Sequence, residues 1–164
     1  MTNKDEATMP FSEDDAKHMR LAIEAARQAR AAGNMPFGAC LVKDGQVHWT
    51  AMNNQVSSAD CTGHAEVALI REAAQQLSPE VLRGATVYAS GEPCAMCAGA
   101  MFWAGIGRVV YGATTPDIEA ALGGASLPAR CADVLAHCQP AVLVEGPLLR
   151  DEAVAALRSG QQSG

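Results

Sequence analysis

The chain has 164 residues, 49% of them hydrophobic and 18% charged, which predicts a single globular domain over 1–164 and excludes a disordered or fibrous protein. The net charge of −6 argues against long nucleic acids as partners, since proteins that bind them depend on Lys and Arg patches. No uncharged stretch is long enough to cross a bilayer, and the polar, acidic residues 1–15 lack the features of a secretory signal, so we expect a cytoplasmic protein without a membrane role.

The first part of the chain predicts a helix and then a hairpin. Apolar residues at helical spacing indicate a helix that begins after Ser12 and ends before Gly33. Two short apolar runs, 37–42 and 47–52, flank the dipeptide Asp44-Gly45, which is typical of a tight hairpin turn.

Beyond the hairpin, helical and extended patterns alternate. We predict helices at 65–77, 95–103, 117–122 and 150–158, and strands at 86–89, 109–111 and 141–144. Strands separated by helices need crossover connections, which favour parallel pairing and cover both faces of a sheet. The predicted fold class is therefore α/β, a three-layer α/β/α sandwich with a mixed, mostly parallel five-stranded sheet.

Two motifs stand at the predicted starts of helices. They are His64-Ala65-Glu66 and Pro93-Cys94-Ala95-Met96-Cys97. Two thiolates three residues apart in a first helical turn can face one ion, and the amide dipoles at that end stabilise their charge. With His64 they make three protein ligands, the number that leaves a catalytic zinc one position for water. Glu66 is near enough to take a proton from that water and pass it on.

A closed zinc site that only stabilises the fold is the alternative. Such a site needs a fourth protein ligand, which Cys61 or His137 would have to supply. That interpretation leaves Glu66 without a purpose. The remaining cysteines are expected to be packed thiols rather than disulfides, because the expected compartment is reducing: Cys40, Cys131 and Cys138.

His-x-Glu followed by Pro-Cys-x-x-Cys resembles the signature of the cytidine and deoxycytidylate deaminase superfamily. The resemblance extends from Phe37 through Tyr111 and implies the cytidine deaminase-like fold, a single zinc-dependent deaminase domain and a homodimer. It implies that Zn²⁺ is the cofactor, that Glu66 is the catalytic acid and base, and that three residues are the metal ligands: His64, Cys94 and Cys97.

Within the superfamily, the chain is most similar to bacterial guanine deaminase-like nucleobase and nucleoside deaminases. The similarity lies in 36–39, Asn53-Asn54, the His64 motif and Trp103-Ala104. By position it implies that Asn53 hydrogen-bonds the base, and that the pocket also includes Phe37, Trp103 and Ala65. Flat rings stack on aromatic side chains, and an amide offers a donor and an acceptor to a base edge.

The chain departs from that group in two places. Asp60-Cys61-Thr62-Gly63 stands where the family commonly has Asp-Pro-Thr-Ala, and residues 148–164 lack the aromatic side chain that closes the site in guanine deaminases. Those enzymes also have acidic residues after the second zinc motif. Here we expect Asp117 and Glu119 to be acids of a first helical turn.

The sequence thus predicts a zinc-dependent aminohydrolase that releases ammonia from a free nucleobase or nucleoside-like amino-heterocycle, such as guanine, cytosine or a related ring. The partner is then a small molecule. A tRNA adenosine deaminase is the second hypothesis, because 145–149 and the acidic start of the last helix resemble that branch, although its members carry basic surface that this chain lacks. A non-catalytic zinc-stabilised module is the third.

Overall fold

A computed structural model describes residues 11–160. Residues 1–10 lie outside the described residues. They belong to the acidic segment 1–15, on which the prediction of a cytoplasmic protein rested. None of the described helices has the length and apolarity that crossing a bilayer requires. The elements in chain order are α1 (Glu13–Ala31), β1 (Gly38–Lys43), β2 (Gln46–Met52), α2 (Ala65–Gln76), α3 (Pro79–Leu82), β3 (Thr86–Gly91), α4 (Ala95–Ala104), β4 (Arg108–Ala113), α5 (Thr115–Leu122), α6 (Cys131–Val134), β5 (Leu143–Glu145) and α7 (Arg150–Arg158).

The five strands form one mixed sheet in the order β2-β1-β3-β4-β5. β1 pairs antiparallel with both β2 and β3, whereas β3 with β4 and β4 with β5 are parallel. The predicted α/β fold with a mixed five-stranded sheet is confirmed. Fewer neighbouring strands are parallel than the sequence suggested. The reason is that β1, the first strand of the hairpin, pairs with β3 and runs in the opposite direction.

Helices cover both faces of the sheet. One face packs mainly against α2 and α4, and its fully buried residues include Leu41, Leu69, Val87, Met101 and Val109. The other face packs against α1 and α7, and its fully buried residues include Met19, Ile23, Val110 and Leu157. Burial of these apolar side chains on both sides is what holds the three layers together.

The sheet has one edge at which several chain segments meet. Gly38 at the start of β1 pairs with Met52 at the end of β2, and Ala39 pairs with Ala89 near the end of β3. The residues that follow β2 and β3 and the residue that precedes β1 therefore lie at the same edge. Phe37, Asn53 and Glu92 come together in this way.

The first helix and the hairpin follow the prediction. Ser12 caps α1 in a capping box with Asp15, and the hairpin turn has positive φ at Asp44 and Gly45. Three details differ. α5 begins at Thr115 rather than 117, because Thr114 caps it in a second capping box with Asp117. β5 begins two residues later than predicted, and the one-turn helices α3 and α6 are too short for a periodic pattern to reveal.

A buried ion-pair network joins α1 to the sheet. The carboxylate of Asp15 accepts hydrogen bonds from Tyr88 Oη at 2.6 Å and from the Arg108 guanidinium at 2.9 and 3.1 Å. Arg108 also donates to Glu145 at 2.7 Å. Burial acts to raise the pKa of Asp15, but the bonds from Arg108 and Tyr88 outweigh it and hold that pKa well below its usual range.

Replacing Asp15 by Asn should therefore lower the free energy of unfolding by about 2–3 kcal/mol at pH 7, because Arg108 and Tyr88 lose their charged acceptor. A carboxylate whose pKa is depressed by folding stabilises the protein fully above its unfolded pKa of about 4, and this stabilisation is lost as the pH falls further. Urea unfolding should show the gap between wild type and Asp15→Asn narrowing from pH 7 to pH 3. Asp14→Asn, an exposed neighbour in the same first helical turn, is the control and should cost no more than about 0.5 kcal/mol, the contribution of an exposed charge to the helix dipole.

Candidate active site

The structure brings His64, Cys94 and Cys97 together at the edge of the sheet where β3 ends. His64 Nδ1 lies 3.6 Å from Cys94 Sγ and 3.5 Å from Cys97 Sγ, and the two sulfurs are 3.7 Å apart. Tetrahedral zinc with ordinary bond lengths separates two sulfurs by about 3.8 Å and a sulfur from a nitrogen by about 3.6 Å. The three donor atoms therefore have the spacing and the chemistry of a zinc site.

Two helix starts produce this arrangement. His64 is the N-cap residue of α2, and Cys94 is the N-cap residue of α4, both with extended backbone. Cys97 is the third residue of α4, and N-cap and third positions adjoin on a helix surface. Because the N-terminus of a helix carries partial positive charge, it stabilises thiolates there.

The thiols differ in acidity. The hydrogen bond between the two sulfurs, together with His64, lowers the pKa of Cys94 to about 4, although burial acts in the opposite direction. The pKa of Cys97 is raised, first by its hydrogen bond with Cys94 and then by burial. Cys94 is thus a thiolate at neutral pH, the form in which cysteine binds metal.

Among residues 11–160, no fourth metal ligand joins this group. Cys61 and His137, the two residues that a closed site would need, are exposed. The site therefore resembles an open catalytic zinc site rather than a closed structural one.

Glu66 lies beside the three ligands in the first turn of α2. It is 5% exposed and lines the same cleft as His64 and Cys94. Burial raises the pKa of Glu66. A carboxyl group with a raised pKa next to a metal site is suited to take up and release protons in turn.

A cleft of about 660 Å³ opens above these residues. Phe37 forms part of its wall, as the resemblance implied. Gly91 makes room for this ring, since a Cβ at that position would lie 2.8 Å from Phe37 Cε1. The volume is in the range of pockets that hold small molecules.

Asn53 also lines the cleft and is almost fully buried. Its Nδ2 donates to Gln55 Oε1 at 2.7 Å, and its Oδ1 accepts from the main-chain nitrogen of Gln55 at 3.0 Å. Gln55 lines the cleft as well. Sequence reasoning overlooked Gln55, since an amide three residues after the end of a strand has no distinguishing pattern.

Two other residues implied for the pocket lie elsewhere in the described chain. Trp103 is 84% exposed and contacts the ring of Phe102 rather than the cleft. It lies nine residues after Cys94, so the helix carries it about 14 Å away from the metal ligands. The side chain of Ala65 is fully buried in the core beneath α2 and does not line the cleft.

Glu92 was missed by sequence reasoning. Its side chain is nearly inaccessible and accepts hydrogen bonds from Arg130 Nε at 2.8 and 2.9 Å, from Thr115 N at 2.9 Å and from Cys131 N at 3.2 Å. Burial acts to raise the pKa of Glu92, but these donors together lower it. The carboxylate of Glu92 thereby connects the loop between β3 and α4 to both ends of the segment 115–131.

That segment forms one wall of the cleft. Residues 123–127 and Glu119 line it, and Ser126 donates a hydrogen bond to Glu119 at 2.5 Å. Asp117 completes the capping box of α5 and pairs with Arg150, as expected of a first-turn acid. The same expectation was wrong for Glu119, which is the fifth residue of α5 because the helix begins at Thr115. No residue of α7 lines the cleft. In the described chain, the loop after α5 therefore forms one flank of the cleft without any contribution from the last helix.

A family model described as the cytidine and deoxycytidylate deaminase zinc-binding region matches residues 12–113. That range contains the metal triad and Glu66, so fold, donor set and match together define a zinc-dependent hydrolytic deaminase. The chain belongs to the cytidine and deoxycytidylate deaminase family, and the resemblance seen in the sequence is confirmed.

Relatives of this family differ in the substrates that their names give. The chain is 35% identical over 151 residues to a probable cytosine deaminase of Schizosaccharomyces pombe, which covers 88% of this chain and 90% of that relative. It is 45% identical over 98 residues to a tRNA-specific adenosine deaminase of Agrobacterium fabrum, over 60% of this chain and 64% of that relative. The solved guanine deaminase of Nitrosomonas europaea has a TM-score of 0.73 and 26% identity, over 90% of this chain and 83% of that chain.

Replacing Cys94 by Ser should weaken zinc binding by at least about 100-fold, because one of three protein ligands is lost. Competition with a chromogenic chelator measures this affinity. Cys61→Ser is the matched control: it removes an exposed thiol of the neighbouring loop and should leave zinc affinity unchanged. An equal loss in both variants would mean that Cys61 is a fourth ligand.

Proposed function

We propose that this protein is a hydrolytic deaminase of a free nucleobase or nucleoside, with cytosine and guanine as the first candidates. The observation that carries the proposal is the position of Glu66 beside the His64, Cys94 and Cys97 donor set in a cleft of small-molecule size. Cytosine and guanine are the substrates named for two of its relatives. We also propose that 1–164 acts as one domain.

The reaction exchanges an amino group for oxygen. A water oxygen forms a bond to the amino-bearing ring carbon, the carbon–nitrogen bond breaks, and the nitrogen leaves as ammonia. Zinc, when bound by the three ligands, supplies Lewis-acid activation of water at neutral pH. Glu66 takes the proton from water and delivers it to the leaving nitrogen, a double role that its raised pKa supports.

The rest of the cleft supports selection of a flat polar ring. Phe37 offers an aromatic face to a base, and Asn53 offers an amide to its edge. Burial shields the carboxyl group of Glu66 from bulk solvent, which strengthens its interactions with groups bound in the cleft.

A tRNA adenosine deaminase remains the second candidate, favoured by the identity to such an enzyme over 98 residues. The net charge of −6 counts against it, since tRNA binding depends on basic surface to neutralise phosphates. Alignment coverage does not separate the two candidates, since the probable cytosine deaminase covers 88% of this chain and a solved tRNA:A34 deaminase covers 86% at 36% identity; the ranking depends on charge. We therefore rank the small-molecule reaction first.

Ammonia release from cytosine, guanine, adenine and cytidine, with tRNA as a separate substrate, tests the proposal. We expect turnover of at least one free base or nucleoside by the zinc-loaded protein. Glu66→Gln should lower kcat by about 1000-fold while zinc content stays unchanged, since proton transfer is lost without loss of a ligand. Glu80→Gln, an exposed control, should keep full activity. Activity on tRNA alone would contradict the proposal.

We also propose a homodimer in the cytoplasm. The exposed indole of Trp103 next to the partly buried Phe102 on α4 supports a protein contact there, since large exposed aromatic side chains are enriched at interfaces. The cysteines of the chain are free thiols, which is typical of a reducing compartment.

Trp103→Glu should weaken the dimer by about 100-fold, because a charge would have to be buried where the indole packs. Sedimentation velocity over a range of protein concentrations measures this change. Val47→Glu is the control, because it alters a partly exposed residue on β2, the outermost strand of the sheet. Wild-type protein that sediments as a monomer at every concentration would exclude the dimer.

A further inference from the structure

The two neighbouring amides at the cleft, Asn53 and Gln55, bind each other through reciprocal hydrogen bonds. Asn53 Nδ2 donates to Gln55 Oε1 at 2.7 Å, while the main-chain nitrogen of Gln55 donates to Asn53 Oδ1 at 3.0 Å. Two bonds made by opposite ends of one carboxamide fix its orientation, because a flipped amide would place donor against donor. Asn53 therefore has its oxygen turned toward the main chain.

The groups that remain for a ligand are donors. Asn53 Nδ2 has a second hydrogen beyond the one given to Gln55. Gln55 Nε2 has one contact in the described chain, Cys61 O at 3.5 Å, which is at the outer limit of a hydrogen bond. Each amide oxygen already accepts one hydrogen bond within the pair, whereas both amide nitrogens keep a hydrogen that the pair does not use. The pair thus offers N–H groups to the cleft.

Gly63 makes this arrangement possible. A Cβ at Gly63 would lie 2.2 Å from Asn54 Oδ1 and 3.1 Å from the nitrogen of Gln55 that holds Asn53. Asn54 N also donates to Gly63 O at 2.9 Å, so the two segments run in close contact. The glycine that departs from the family's usual alanine is therefore coupled to the position of Gln55.

We propose that Gln55 is a specificity-determining residue, which together with Asn53 binds a ring edge that carries two neighbouring acceptors. A carbonyl oxygen beside an unprotonated ring nitrogen provides such an edge, as in guanine and cytosine. Adenine has no carbonyl and leaves one donor unpaired, which disfavours it. This inference rests on the proposed function, because it assigns a role in binding the substrate of the same site.

Gln55→Glu tests the inference with little change of shape. The variant keeps an acceptor for Asn53 Nδ2 but replaces the Nε2 donor of Gln55 by a second acceptor. We expect the KM for cytosine or guanine to rise by at least about tenfold, with kcat within about threefold of wild type and zinc content unchanged. Gly63→Ala should raise KM in the same direction. Gln75→Glu makes the same chemical change on the exposed end of α2 and should have no effect.

Equilibrium dialysis with radiolabelled cytosine and guanine separates this inference from the proposed function. Glu66→Gln protein serves as the background, because base can bind to it with turnover suppressed. Weaker binding after Gln55→Glu supports the inference even if wild type releases no ammonia, an outcome that would overturn only the proposed reaction. Unchanged dissociation constants, an equal effect of Gln75→Glu, or no binding of either base would overturn the role of Gln55.

Discussion

The convergence of two helix N-termini at one edge of the sheet is the constraint on which the site depends. His64 and Cys94 are both cap residues, and each helix starts where a crossover connection leaves that edge. The two cysteine sulfurs and the histidine nitrogen lie within 3.7 Å of one another. Without positive charge nearby, these three atoms would repel one another or compete for protons. The two helix dipoles supply part of that charge, and a divalent ion held by the three donors would supply the rest.

Glu92 extends this constraint to the substrate side of the cleft. It lies two residues before Cys94, and its carboxylate reaches Arg130 and the main chain at Thr115 and Cys131. A buried carboxylate that three donor groups hold through four contacts is committed to the protein rather than to a ligand. Its effect is therefore one of position, because it fixes the wall of the cleft relative to the metal ligands.

The sequence was most informative where function depends on spacing along one helix. Cap residues and an i, i+3 pair of cysteines are visible in a string of letters, and so were the candidate zinc ligands and Glu66 beside them. Contacts between distant segments were not visible: 38 residues separate Glu92 from Arg130. Trp103 was placed in the pocket from its position in a motif, but such a position does not reveal where the side chain points. In the structure, the rise of α4 takes Trp103 away from the cleft. The capping box at Thr114 was not recognised in the sequence, and the start of α5 was therefore predicted two residues too late.

The loop of residues 123–127 forms part of the cleft wall and affects which ring fits, whereas the candidate metal ligands lie on other segments. Residues 123–127 contact the cleft without supplying a metal ligand, and Gly123 and Gly124 both have positive φ at their junction with α5. Insertions or substitutions in such a surface loop alter the size and polarity of the cavity while the packed sheet and helix starts stay unchanged. Reaction chemistry and ring choice can therefore diverge independently during evolution, which is consistent with one fold serving relatives named for different substrates.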